Sequence, residues 1–136
     1  MLNDFGLARG LQNFIDKSVA IHDVKMQFTT NLRDERFDSD VEIVVYRVVC
    51  ELINNSLKHS GCKAIDLTLS LKDNMLSLEY IDDGKGFDPA RVVDSGMGLS
   101  NISSRIHSIN GTLLIVSAKD KGMRAMANID VSSSIR

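Results

Sequence analysis

With 136 residues, 43% of them hydrophobic and 25% charged, the chain has the composition of one soluble globular domain built around a single core. Its net charge of −2 supplies no basic field to track a nucleic-acid backbone, so direct DNA or RNA binding is not expected. The apolar runs fall far short of the ~20 residues that cross a bilayer, and Met1-Leu2-Asn3-Asp4-Phe5 lacks the charged-then-apolar layout of a signal peptide.

In chain order, Leu7, Leu11, Phe14, Ile15 and Val19 recur with a helical period, with Asp4 placed to cap the helix. Met26, Phe28 and Thr30 alternate as a short strand. Asp38 to about His59 reads as the longest helix, capped by Asp38 or Ser39 and followed by Gly61, with Val45, Val49, Ile53 and Leu57 turned toward a sheet. Ile65, Leu67, Leu69 and Leu71 alternate in the next strand, Lys72-Asp73-Asn74 turns the chain, and Met75–Ile81 returns it. Residues 87–97, which include Pro89, read as a long loop, and a helical pattern runs from Leu99 to about Ile109. Strands over Thr112–Ser117 and Met123–Val131 pair across Lys119-Asp120-Lys121-Gly122. Consecutive hairpins with helices between them predict an α+β, two-layer sandwich: a mixed, mostly antiparallel sheet with helices on one face. Cys50 and Cys62, outside any CxxC or paired-histidine pattern, read as reduced, packed thiols of a cytosolic protein.

Glu51, Asn55, Lys58 and His59 fall at i, i+4, i+7 and i+8, one side of the long helix. A solvated face accounts for most such sets. This one gathers a carboxylate, an amide, an ammonium and an imidazole. The first two are hard oxygen ligands suited to Mg²⁺, and the last two are donors to phosphate.

Asp82-Asp83-Gly84-Lys85-Gly86 closes a strand. The bland reading is a turn. The functional one makes Asp82 a buried acceptor for the exocyclic amine of adenine, with Gly84 and Gly86 letting the backbone approach the base. Gly96-Met97-Gly98-Leu99 opens a helix, where free amides form an anion site for phosphates; otherwise it is a hinge. No P-loop or protein-kinase signature is present.

These three segments, in this order and at this spacing, resemble the ATP-binding domain of sensor histidine kinases, in the Bergerat-fold ATPase superfamily shared with gyrase. The likeness extends from about Leu7 to Val131. Glu51 to His59 looks like the N box, Asp82 to Gly86 like the first glycine box, and Gly96 to Leu99 like the second. Tyr46-Arg47-Val48-Val49 and Lys58-His59 are most similar to a subfamily whose response regulators carry a helix-turn-helix output domain. The resemblance implies Asn55 as Mg²⁺ ligand, with Glu51 orienting a metal-bound water. It implies Lys58 and His59 on phosphates, Asp82 on adenine, Gly84 and Gly86 around the base, and Gly96, Gly98 and Leu99 at the phosphate end of a lid over 87–97.

It further implies a division of the chain. Residues 1–20 would be a connector from a missing dimerisation domain that bears the phosphoacceptor histidine, and residues 21–136 the catalytic domain. None of His22, His59 and His107 suits the acceptor role. The piece is expected to be monomeric, and the full protein a homodimer, membrane-anchored or cytoplasmic. One departure stands out: Met123 follows Gly122 where the family commonly has a threonine that supports adenine binding. Alternatives on the same fold are a free-standing serine kinase of the anti-sigma-factor type, a degenerate binding module, and a gyrase-like ATPase.

Overall fold

A computed structural model describes residues 6–86 and 99–135. Helix α1 (Leu7–Ile21) leads into β1 (Lys25–Thr30). Helix α2 (Ser39–Asn55) continues into a π turn (Ser56–Ser60), followed by β2 (Ala64–Lys72) and β3 (Met75–Asp82). Helix α3 (Leu99–His107), β4 (Gly111–Ser117) and β5 (Met123–Asp130) complete the chain. The five strands form one sheet in the order β1-β2-β3-β5-β4. β1 lies parallel to β2, because α2 carries the chain back across the sheet between them, and the remaining pairs are antiparallel. The expected mixed, mostly antiparallel sandwich is the observed fold.

Strict alternation explains which face is covered. Ile65, Leu67 and Leu69 of β2, Leu76, Leu78 and Tyr80 of β3, and Met123, Ala125, Ala127 and Ile129 of β5 point to the helices and are buried. Leu114 and Val116 of β4 have the opposite parity and are exposed on the outer face. From α2, Val41, Val45, Val48, Val49, Leu52 and Ile53 fill the space above the sheet, with Ile102 and Ile106 of α3 completing it. Phe14 of α1 meets Tyr46 of α2 edge to face, ring centroids 6.3 Å apart.

Several expectations change in detail. Val19 is 41% exposed, and Ser18 takes the inward place, its hydroxyl donating to the Phe14 carbonyl at 2.9 Å. At about 100° per residue Ser18 falls in line with Leu7 and Leu11, whereas Val19 has rotated about 120° away from Leu7. Asp4 lies outside the described residues. Asp38 takes the N-cap position of α2 without a side-chain cap bond. That end is held instead by the Ser134 carbonyl, which accepts from the Asp38 N–H at 2.7 Å, and by Asp40 Oδ1, which accepts from the Val41 N–H at 2.9 Å. The β2–β3 turn is shorter than read: Lys72 pairs with Met75, leaving Asp73 and Asn74 as a two-residue loop. Both have positive φ (52° and 62°), which short Asx side chains tolerate. The long helix ends as an α-helix at Asn55, not His59.

A buried carboxyl group clamps the start of α2. Glu42, 3% exposed, accepts from Arg36 Nε at 2.9 Å and Nη2 at 3.0 Å, and from the Phe37 N–H at 3.2 Å. Glu42→Ala strips the buried Phe37 amide of this acceptor and removes a bidentate pair. A loss of about 2–4 kcal/mol is expected, read as a lower urea midpoint at unchanged m-value.

Candidate functional site

The polar residues singled out in the sequence converge at one end of the sandwich, where α2 gives way to the π turn and β3 reaches its last residue. Asp82 occupies an inward position of β3 and is 4% exposed. A carboxyl group so enclosed needs donors on both oxygens. Ser56 Oγ donates to Oδ2 at 2.6 Å, and the Gly84 N–H donates to Oδ1 at 3.0 Å. Behind them, the Tyr80 hydroxyl lies 2.5 Å from Ser56 Oγ and 3.1 Å from the Leu52 carbonyl oxygen. Burial pushes the Tyr80 phenol well above its usual range, so it keeps its proton as a donor.

Asn55 immediately precedes Ser56, so the bond from Ser56 to Asp82 joins the N-box-like segment to the strand-end aspartate. Glu51 and Asn55 are half-buried on the α-helical part of α2. Lys58 is exposed on the π turn, and the backbone of His59 belongs to the same turn. Their projected alignment with Glu51 and Asn55 is therefore altered: a π turn bonds i to i+5, and the α-helical spacing ceases to apply past residue 55.

Glu51 has a partner that the sequence did not suggest. Its Oε1 accepts from Arg105 Nη1 of α3, tying the helix after the second glycine segment to the proposed metal end of α2. The sole signal is weak: a basic residue in the last turn of a helix, where a cation is ordinarily placed by the dipole. Gly96, Gly98 and the expected lid 87–97 lie outside the described residues, and Leu99 is the first residue of α3.

Two glycines at the base of the site, Gly86 and Gly122, are required by the packing around them. Gly86 has φ 67°, and a Cβ there would collide with the Ala118 carbonyl oxygen; it is packed against the β4–β5 turn, where the Asp120 N–H donates to the Lys85 carbonyl at 2.5 Å. Gly122 has φ 72°, and a Cβ would strike the Asp82 carbonyl oxygen. Met123 follows it as the register partner of Asp82, with its side chain buried. Asp83 is structural: its Oδ1 accepts from the Lys63 and Ala64 N–H groups at 2.8 and 3.0 Å, and these bonds hold its carboxyl below the usual range.

The sequence model described as histidine kinase-, DNA gyrase B-, and HSP90-like ATPase matches residues 40–133. The chain belongs to that ATPase family. It is 32% identical over 125 residues to the oxygen sensor histidine kinase NreB of Staphylococcus carnosus, covering 89% of this chain and 35% of that protein. It is also 32% identical over 137 residues to the sensor histidine kinase ComP of Bacillus subtilis, covering 96% and 17%. The chain thus spans about a third or less of the length of these curated relatives. Among solved structures, the histidine kinase domain of the blue-light activated kinase of Erythrobacter litoralis EL346 superposes with a TM-score of 0.75 at 16% identity, covering 90% of this chain and 60% of that one. The catalytic domain of histidine kinase ThkA does so at 0.72 and 16%, covering 92% and 90%. At such identities the shared property is the fold. In this ATPase domain, no described helix is long and apolar enough to cross a membrane.

Three outcomes test this account of the site. Gly86→Ala forces a left-handed residue onto main-chain oxygen and should cost about 2 kcal/mol or more, lowering the thermal midpoint. Arg105→Ala breaks a pair whose side chains are 35% and 33% exposed, and should cost less than about 1 kcal/mol by the same measurement. Burial pushes the Cys50 thiol up to about 11, so it is a thiol at neutral pH; its alkylation by iodoacetamide should be slow at pH 8 and accelerate as pH rises toward 11.

Proposed function

We propose that this domain binds Mg²⁺-ATP at the junction of α2, the end of β3 and α3, and donates the γ-phosphoryl group to a histidine on a separate dimerisation domain, as part of two-component signalling. The observation that carries the reading is the enclosed Asp82 carboxyl group, oriented by Ser56 and Gly84 at the end of a strand, directly beside the segment that contains Asn55. A buried acceptor of this kind selects a base that offers an amine, and it penalises one that does not.

In this reading Asp82 receives the exocyclic amine of adenine, and Gly84 and Gly86 shape the floor of the base pocket. Asn55 offers its amide oxygen to Mg²⁺, and Glu51, steadied by Arg105, orients a metal-bound water. Among the described residues no three His, Cys, Asp or Glu side chains form a metal cage. An amide oxygen beside a carboxylate, as Asn55 and Glu51 offer, suits Mg²⁺, which takes one or two protein oxygens and fills its shell with waters and phosphate oxygens. When bound, the ion neutralises charge that builds on the phosphate oxygens during transfer. Lys58 and His59 donate to the phosphates, and Gly96, Gly98 and Leu99 form the phosphate end of the lid. The P–O bond to the β-phosphate breaks with its electron pair going to ADP, while a P–N bond forms to the acceptor imidazole. The chain's contribution is placement and charge neutralisation.

The partners in this reading are the histidine-bearing dimerisation domain, through which the full protein forms a homodimer, and a response regulator with a helix-turn-helix output. Residues 1–20 serve as the connector and 21–136 as the catalytic unit, which works in the cytoplasm where ATP is present. Isothermal titration with Mg²⁺-ATP should show binding that Asp82→Asn weakens at least about 100-fold, since the amide turns a donor toward the adenine amine. Supplying the cognate histidine domain in trans should yield acid-labile phosphohistidine. Equal affinity in wild type and variant overturns the assignment; binding without phosphohistidine reduces the domain to a nucleotide-binding module.

A further inference from the structure

We infer that the buried hydroxyl pair Tyr80–Ser56 determines how strongly the site prefers adenine, by fixing the direction in which Asp82 presents its carboxyl group; this rests on the reading of Asp82 as the base acceptor.

Ser56 is 2% exposed, Tyr80 0% and Asp82 4%, so water does not supply the bonds among them. A helical serine ordinarily turns its hydroxyl back to the carbonyl four residues earlier, which here is Leu52. Tyr80 opposes that choice in two ways. Its hydroxyl stands 3.1 Å from the same Leu52 oxygen and 2.5 Å from Ser56 Oγ, so its one proton, shared between them, competes for that carbonyl and occupies a serine lone pair. With that lone pair taken, the serine proton is directed to Asp82 Oδ2, 2.6 Å away. Gly84 fixes Oδ1 at 3.0 Å, so the plane of the carboxyl group is set from both sides.

In the sheet, the register partners of Asp82 are Ile65 on β2 and Met123 on β5, and neither side chain is a donor. Among the described residues, the hydrogen bonds to the Asp82 carboxyl group come from Ser56 and Gly84, and the one side-chain donor depends on Tyr80. Tyr80 and Ser56 are thus positioning residues. They act through Asp82 on the base, with no demand on the phosphate end of the site.

The test compares ADP with inosine diphosphate, which lacks the exocyclic amine, by titration calorimetry on the 136-residue chain in Mg²⁺ buffer. Wild type should prefer ADP. Tyr80→Phe and Ser56→Ala should each weaken ADP about tenfold, the scale of one hydrogen bond, while inosine diphosphate changes less than about twofold. The ratio of the two affinities is the decisive reading, because a general loosening of the domain weakens both ligands alike. Circular dichroism checks that each variant is folded; if Tyr80→Phe is not, Ser56→Ala, which removes one oxygen atom, carries the test. A parallel loss for both ligands, or an unchanged ADP affinity, overturns the role of the hydroxyl pair and leaves the Asp82 reading standing. Absence of any ADP preference in wild type overturns both.

Discussion

A carboxyl group at the buried end of a central strand is the constraint around which this domain is arranged. Asp82 is taken out of water on β3, a strand flanked on both sides, and its two oxygens must be met by donors fixed in the fold. One donor comes from the first residue after α2 and the other from the backbone two residues on. The first exists because α2 crosses the sheet so that its C-terminal end stops over β3. Gly122 contributes from beneath, since the lack of a Cβ lets β5 lie against the Asp82 carbonyl. The demand made by one group thus reaches a helix end, a strand pair and a turn.

Apolar packing and polar chemistry divide α2 between them. From Val41 to Ile53 its inner stripe is aliphatic and fully covered. At Ser56 the same stripe continues with a hydroxyl, and the backbone there relaxes from α to π spacing. Such a bulge costs helical regularity, and it is found where a site requires side chains out of α register. The aliphatic part anchors the helix; the polar turn beyond it gains a rigid support. Arg105 of α3 then bridges to Glu51, so the helix after the second glycine segment is joined to this end of α2 by a bond that adds little stability of its own.

The relatives place the particular features in context. Kinase-domain structures at 16% identity and TM-scores of 0.75 and 0.72 share the sandwich. A sandwich is fixed by pattern, and many sequences satisfy it. The surroundings of one carboxyl group depend on single side chains. In this chain those surroundings are Ser56 and Gly84, which donate to Asp82, Tyr80, which bonds with Ser56, and Met123, whose side chain is no donor.

Alternation in β2, β3 and β5 and the helical period of α2 were readable directly, because burial on one face imposes a fixed repeat on the sequence. The Glu51–Asn55 pair stood out because helical spacing puts both on one face, and Asp82 because it opens a segment of aspartates and glycines at the point where the strand repeat breaks. The inward turn of Ser18 in place of Val19 also follows from the helical angle, which puts Ser18 in line with Leu7. Ser56 and Tyr80 carried a faint signal, a hydroxyl on each buried repeat, which local pattern alone cannot distinguish from packing. The bond from Glu51 to Arg105 joins residues 54 positions apart, and the π turn reflects what the sheet demands of the helix above it. Sequence by itself determined which faces are buried, since that is a local consequence of periodicity. Tertiary structure alone decided which hydroxyl meets which carboxyl, because that choice is made only when distant segments compete for the same buried donors and acceptors.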